Sequence, residues 1–136
     1  MKTQAICAIA TPPGSSALGI IRISGTDLKN LTKQIFSKDL QNSKAILVSI
    51  LDDKTLLDNC ISIFYETPRS YTGEDMIEII CHGNQVIMNS ILSLLNKIGI
   101  RLAKPGEFTE RALFNDKVDL IQAEAISDLI LSLIHI

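Results

Sequence analysis

Cysteine is scarce in this chain of 136 residues: only Cys7, Cys60 and Cys81 occur, far apart and odd in number. That count suits neither a disulfide framework nor a CxxC metal site, and points to a reducing compartment. Long apolar runs are also missing from the interior, so no segment is expected to cross a bilayer. The first residues carry neither an apolar core of signal-peptide length nor a small-residue cleavage site. A cytoplasmic location is therefore expected, with no membrane partner. Nor is there a surplus of one charge: the formal net charge is −2 and the pI about 5.6. No global positive field would draw the chain onto a phosphate backbone, which argues against tight nucleic-acid binding by this piece alone. Internal repeats and low-complexity segments are absent as well.

What is present is a globular balance, 46% hydrophobic and 21% charged, at a length that supports one core. A β-branched run over 5–10 stops at Thr11-Pro12-Pro13-Gly14, where prolines end strand pairing. A second strand covers 19–24 and closes at Gly25, with Thr26 in the position of a helix cap. Leu28, Leu31 and Ile35 then give a helix one buried stripe. The runs 45–51 and 60–65 predict a hairpin with a longish loop around Asp52, Asp53 and Lys54. A fifth strand spans 75–81. The helix after it buries Val86, Ile87, Ile91, Leu94, Leu95 and Ile98, and Gly99 is placed to end it in the left-handed conformation. A short sixth strand at 100–103 and a brief helix at 107–114 follow. Asp119 and Gln122 have the spacing of a capping box for a final helix. Strands and helices that do not alternate regularly predict an α+β fold, a mixed five- or six-stranded sheet with about three helices.

Some motifs invite chemistry without supporting it. Gly14-Ser15-Ser16-Ala17-Leu18-Gly19 has the glycine spacing of a phosphate loop, but Ile20 and Ile21 stand where Lys and Ser or Thr are needed. Asn115-Asp116-Lys117-Val118-Asp119 imitates a guanine-reading motif with its lysine one place late. Cys81 and His82 point to opposite faces of a strand, so a structural cysteine and a loop histidine are expected. His135 supports no role. Arg22 and Glu78 are different, since each is the lone charge in a strand of isoleucines. Glu78 shares a face with Met76 and Ile80, and Arg22 with Ile20 and Ser24. Each charge needs a partner. From spacing, a buried or half-buried salt bridge between neighbouring strands is favoured slightly over a ligand site, and Lys117 reads as a solvated loop charge.

The segments Ala10-Thr11-Pro12-Pro13-Gly14, Gly19-Ile20-Ile21-Arg22-Ile23-Ser24-Gly25, Tyr71-Thr72-Gly73-Glu74-Asp75, Cys81-His82-Gly83 and Pro105-Gly106-Glu107-Phe108-Thr109-Glu110-Arg111-Ala112 resemble the tRNA modification GTPase family (MnmE/TrmE) in order and spacing, as does the stretch from Asn115 to Ala125. The resemblance implies an amino-terminal domain similar to the folate-binding half of aminomethyltransferases, over 1–118. The first helix of a helical domain would then occupy 119–136, and the GTPase domain would lie beyond the chain. It further implies a homodimer binding 5-formyl-tetrahydrofolate or a related folate at Arg22, Glu78 and Lys117, with no catalytic residue and no metal in this part. GTP, Mg and K belong to the GTPase domain, so this part is expected to show no GTPase activity alone. In the full-length context the resemblance implies tRNA and a flavin-bearing partner of the MnmG/GidA type, which together form an aminomethyl-type group, such as 5-carboxymethylaminomethyl, on the wobble uridine. The family usually has an Arg and further glycines where Ser15, Ser16 and Ala17 stand. It also turns polar again where 129–136 is almost wholly apolar, so the last residues are expected to be foreign to the family pattern. Two alternatives stay open: a stand-alone folate-dependent enzyme of the aminomethyltransferase type, and a structural dimer module in which Arg22 and Glu78 merely pair.

Overall fold

The structure, a computed structural model, describes residues 3–11, 17–117, 119, 121, 122, 124–126 and 128. The glycine-spaced loop at 14–16, His135 and the apolar stretch 129–136 lie outside the described residues.

The strands are β1 (Ile6–Ile9), β2 (Leu18–Gly25), β3 (Ala45–Asp52), β4 (Thr55–Tyr65), β5 (Asp75–His82) and β6 (Arg101–Leu102). They form one sheet in the order β3-β4-β5-β2-β1-β6. Every pairing is antiparallel except β1 with β6, which makes the sheet mixed. Helices α1 (Leu28–Thr32), α2 (Gln85–Lys97) and α3 (Glu107–Phe114) complete the pattern, and residues 121, 122, 124–126 and 128 are helical. The α+β class and the six-stranded sheet are as expected.

The two faces of the sheet divide the labour. On one, Ile21 and Ile23 of β2 and Ile77 and Ile79 of β5 are fully buried, and Met88, Ile91, Leu94 and Leu95 of α2 join the same core. A strand's two-residue period puts Arg22 and Glu78 on the opposite face. Burying one isoleucine side chain contributes roughly 1.5–3 kcal/mol, so the register that buries these four is strongly preferred, and it fixes where the charges go.

Helix ends are set by local chemistry. Asn84 caps α2 through its side-chain oxygen, which accepts from the N–H groups of Val86 and Ile87. The helix closes at Gly99, whose φ is +97°, with the Ile100 N–H donating to the Leu95 carbonyl at 2.9 Å. The capping box also forms: the Gln122 N–H donates to Asp119 Oδ1 at 2.7 Å and the Asp119 N–H to Gln122 Oε1 at 3.1 Å.

Four local expectations are corrected. Thr26 does not cap α1: Asp27 holds that position with φ 62° and no side-chain cap bond, while the Thr26 hydroxyl accepts from the Thr3 N–H at 2.9 Å. The helix ends at Thr32 rather than running to Ile35, and Leu31 is partly exposed, because Ile35 is buried from the turn that follows. The hairpin loop is short, since Thr55 already pairs with Asp52 and only Asp53, with φ 58°, and Lys54 lie between them. Val86 is 74% exposed, and Met88 takes the buried place on α2.

Candidate functional site

Arg22 and Glu78 are direct cross-strand partners of β2 and β5. Arg22 Nε donates to Glu78 Oε2 at 2.9 Å, so the salt bridge anticipated from spacing forms. It is not deeply buried: the Arg22 side chain is 46% exposed and that of Glu78 19%. The other carboxylate oxygen, Oε1, accepts from the Tyr65 hydroxyl at 3.0 Å. Burial, followed by this hydrogen bond to Glu78, raises the Tyr65 pKa above its ordinary value, which keeps the phenol a donor.

Lys117 reaches the same place by another route. Helix α3 stops in a Schellman motif, with Asp116 in the left-handed region (φ 58°) where glycine is usual. The Asp116 N–H donates to the Leu113 carbonyl at 3.1 Å and the Lys117 N–H to the Ala112 carbonyl at 2.8 Å. Asn115 anchors the turn by donating from its side chain to the Thr72 carbonyl at 2.8 Å. What imitated a guanine-reading motif is therefore a helix stop, and it delivers Lys117 to the cleft.

Arg22, Glu78 and Lys117 line one cleft of about 460 Å³, together with Tyr65, Arg69 and Tyr71. An adjoining recess of about 220 Å³ shares Arg22 and Tyr71 and is otherwise walled by Ala8, Ile9, Ala10, Phe108 and Thr109. The Tyr71 hydroxyl and Thr109 Oγ1 are hydrogen-bonded at 3.0 Å, which fixes the ring between the two spaces. Chemically the site offers a carboxylate with unused lone pairs, three cationic side chains and aromatic walls. Such a set suits a planar ligand carrying N–H donors at one end and anionic or carbonyl oxygens elsewhere.

Sequence reasoning missed Tyr65, Arg69 and Tyr71. Tyr65 ends the alternating run Ile61, Ile63, Tyr65, and its place beside Glu78 follows only once β4 is paired with β5.

A second polar cluster was equally unforeseen. Glu74 Oε1 accepts from Arg111 at 2.9 Å and from the Ser24 hydroxyl at 2.8 Å, while its Oε2 accepts from Thr3. Arg111 also reaches Glu107, which Arg101 grips with both terminal nitrogens at 2.6 and 2.8 Å. The Arg101 hydrogen bonds come first among the causes that pull the Glu107 carboxyl down to about 2. A recess of about 780 Å³ opens beside this cluster, larger than the cleft around Glu78. Of the charged residues that line it, Glu74 and Arg111 are bound to each other, and Asp75 and Glu110 are both acidic.

The remaining sequence candidates stay structural. Cys81 is buried and His82 exposed, as their opposite directions require. His82 Nδ1 lies 2.7 Å from Asp58 Oδ1. Burial pushes the thiols of Cys7, Cys60 and Cys81 up to about 11 each, far from nucleophilic use.

Fold and site together define an α+β domain that carries a polar, aromatic-walled cleft on the open face of its sheet. The sequence pattern of the family described as GTP-binding protein TrmE N-terminus matches residues 5–117, and the chain belongs to that family. It is 47% identical over 125 residues to the tRNA modification GTPase MnmE of Francisella tularensis subsp. holarctica, and 48% identical over 126 residues to that of Nitrosomonas europaea. Each alignment covers 92% of this chain but 28% of the relative's length.

Proposed function

We propose that this chain is the folate-binding and dimerisation module of a tRNA modification GTPase, with residues 1–118 as the folate domain and 119–136 as the start of a helical domain. The observation that carries the reading is the convergence of Arg22, Glu78 and Lys117, from two strands and a helix stop, on one cleft. Glu78 accepts the paired N–H donors of a pterin, while Arg22 and Lys117 balance the formyl oxygen or the glutamyl carboxylates. The bound 5-formyl-tetrahydrofolate is the one-carbon donor for an aminomethyl-type group on the wobble uridine of tRNA, made with a flavin-bearing partner. GTP, Mg and K act in the GTPase domain, and this chain alone hydrolyses no GTP.

A homodimer is supported by the open sheet face. Leu47, Ile61, Ile80 and Ile20 pair in register across four strands, β3, β4, β5 and β2. Leu47 is 65% and Ile61 41% exposed, so the row forms an apolar strip in need of cover. A second copy offers the same strip, as a two-fold interface requires.

Equilibrium dialysis against 5-formyl-tetrahydrofolate, with GTP as the comparison, tests the first part. Retention of the folate but not of GTP is expected, and a folded chain that retains neither would refute the reading. Sedimentation tests the second: the unaltered chain runs as a dimer and Ile61→Asp as a folded monomer, whereas a monomeric unaltered chain removes the dimer from the proposal.

A further inference from the structure

We infer that Tyr65 is a positioning residue, which holds the Glu78 carboxylate in the plane needed to read two parallel donors on one ligand edge; the inference rests on the folate reading above. An ionised carboxylate has about four lone-pair directions, two on each oxygen. Arg22 Nε occupies one on Oε2 and the Tyr65 hydroxyl one on Oε1. Each of the two neighbouring oxygens therefore keeps a direction for a ligand.

The final torsion of a glutamate is broad and two-fold, so one contact alone would let the carboxylate swing. Arg22 is nearly half exposed, a soft anchor by itself. Tyr65 is the stiffer partner. It terminates β4 opposite Met76 of β5, which puts its backbone in the same sheet as Glu78. Its ring is half-buried and lines the cleft. One anchor per oxygen stops rotation about the carboxylate axis, which neither anchor achieves alone.

Recognition of paired donors depends on that plane more steeply than recognition of a single donor. A ligand with an N–H and an amino group side by side must meet both oxygens at once, whereas a ligand with one donor can follow a tilted carboxylate. Tyr65→Phe keeps the ring and removes only the hydroxyl, so packing is preserved. A hydrogen bond to a charged group is among the stronger ones in a protein, and part of the ligand's bond to Glu78 is lost here through orientation. An affinity loss of roughly 5- to 10-fold is expected for the two-donor ligand, equal to about 1–1.4 kcal/mol.

Calorimetric titration of the chain and of Tyr65→Phe with 5-formyl-tetrahydrofolate and with its 2-desamino-2-methyl analogue, which lacks one of the two donors, is the test. The unaltered chain should prefer the parent compound, and Tyr65→Phe should weaken the parent by the factor above while leaving the analogue nearly unchanged. Preference between the two compounds thus shrinks. A purely structural role would weaken both compounds alike, and undiminished preference in Tyr65→Phe, or equal weakening of both, overturns the inference. If the unaltered chain binds neither compound, the folate reading falls and this inference with it, an outcome distinct from the other two.

Discussion

Among the arginine–glutamate pairs of the described residues, Arg111–Glu74 and Arg22–Glu78 behave differently. Arg111 and Glu74 are 14% and 9% exposed, and hydroxyls of Ser24 and Thr3 fill out the carboxylate. Arg22 and Glu78 are 46% and 19% exposed, and the carboxylate keeps lone pairs for something else. The same two residue types thus make a closed clamp beside Ser24, near the end of β2, and an open receptor in the middle of β2 and β5. Degree of saturation separates the roles: a buried pair whose carboxylate already accepts three hydrogen bonds holds the fold, whereas a more exposed pair whose carboxylate accepts two costs little to rearrange and can bind.

The clamp should fail hardest. Arg111→Ala strands Glu74 in a buried site and takes one partner from Glu107, so a loss of about 3–5 kcal/mol is expected. Chemical denaturation would show it as a lower midpoint at unchanged slope. A loss below about 1 kcal/mol, the range of exposed pairs, would erase the distinction between the two.

Acid sharpens the contrast next. Glu107 falls from its ordinary 4.5 to about 2 in the folded chain. A depressed carboxyl contributes stability that is present above the unfolded value and is lost as pH falls from about 4.5 toward 2. Solvent reaching the Arg101 side screens the pair, so the contribution at neutral pH is about 1–2 kcal/mol. Glu107→Gln should flatten the fall in melting temperature across that window; an unchanged slope would place the acid sensitivity elsewhere.

The smallest effect on stability belongs to the receptor. Glu78→Ala leaves Arg22 able to turn into water, and a change of no more than about 1 kcal/mol is expected. A larger loss in the same denaturation series would make this pair a second clamp.

Much of the open receptor was legible in the sequence, because a lone charge in a strand of isoleucines needs a partner. Arg22 and Glu78 were marked on that ground, and their pairing needed only adjacent strands. Lys117 was not legible from its surroundings, since its place depends on a helix stop in which Asn115 closes on Thr72, 43 positions earlier in the chain. The resemblance to a family supplied it. The clamp was illegible for a related reason. Glu74, Arg101, Glu107 and Arg111 sit among turns and a polar helix where charges are ordinary, and only tertiary contact shows that they meet. The face of α2 was misread at one position: Val86 stands five residues from Ile91 and so off the buried stripe, whereas Met88 stands three from Ile91 and seven from Leu95 and lies on it.

The most direct test is calorimetric titration of 5-formyl-tetrahydrofolate into the chain and into the Arg22→Ala, Glu78→Ala double variant, with thermal melts confirming that both are folded. Saturable binding by the unaltered chain, lost in a double variant of nearly unchanged melting temperature, is the predicted result. Equal binding by both proteins, or none by a folded unaltered chain, would contradict it and reduce the pair to a salt bridge between two strands.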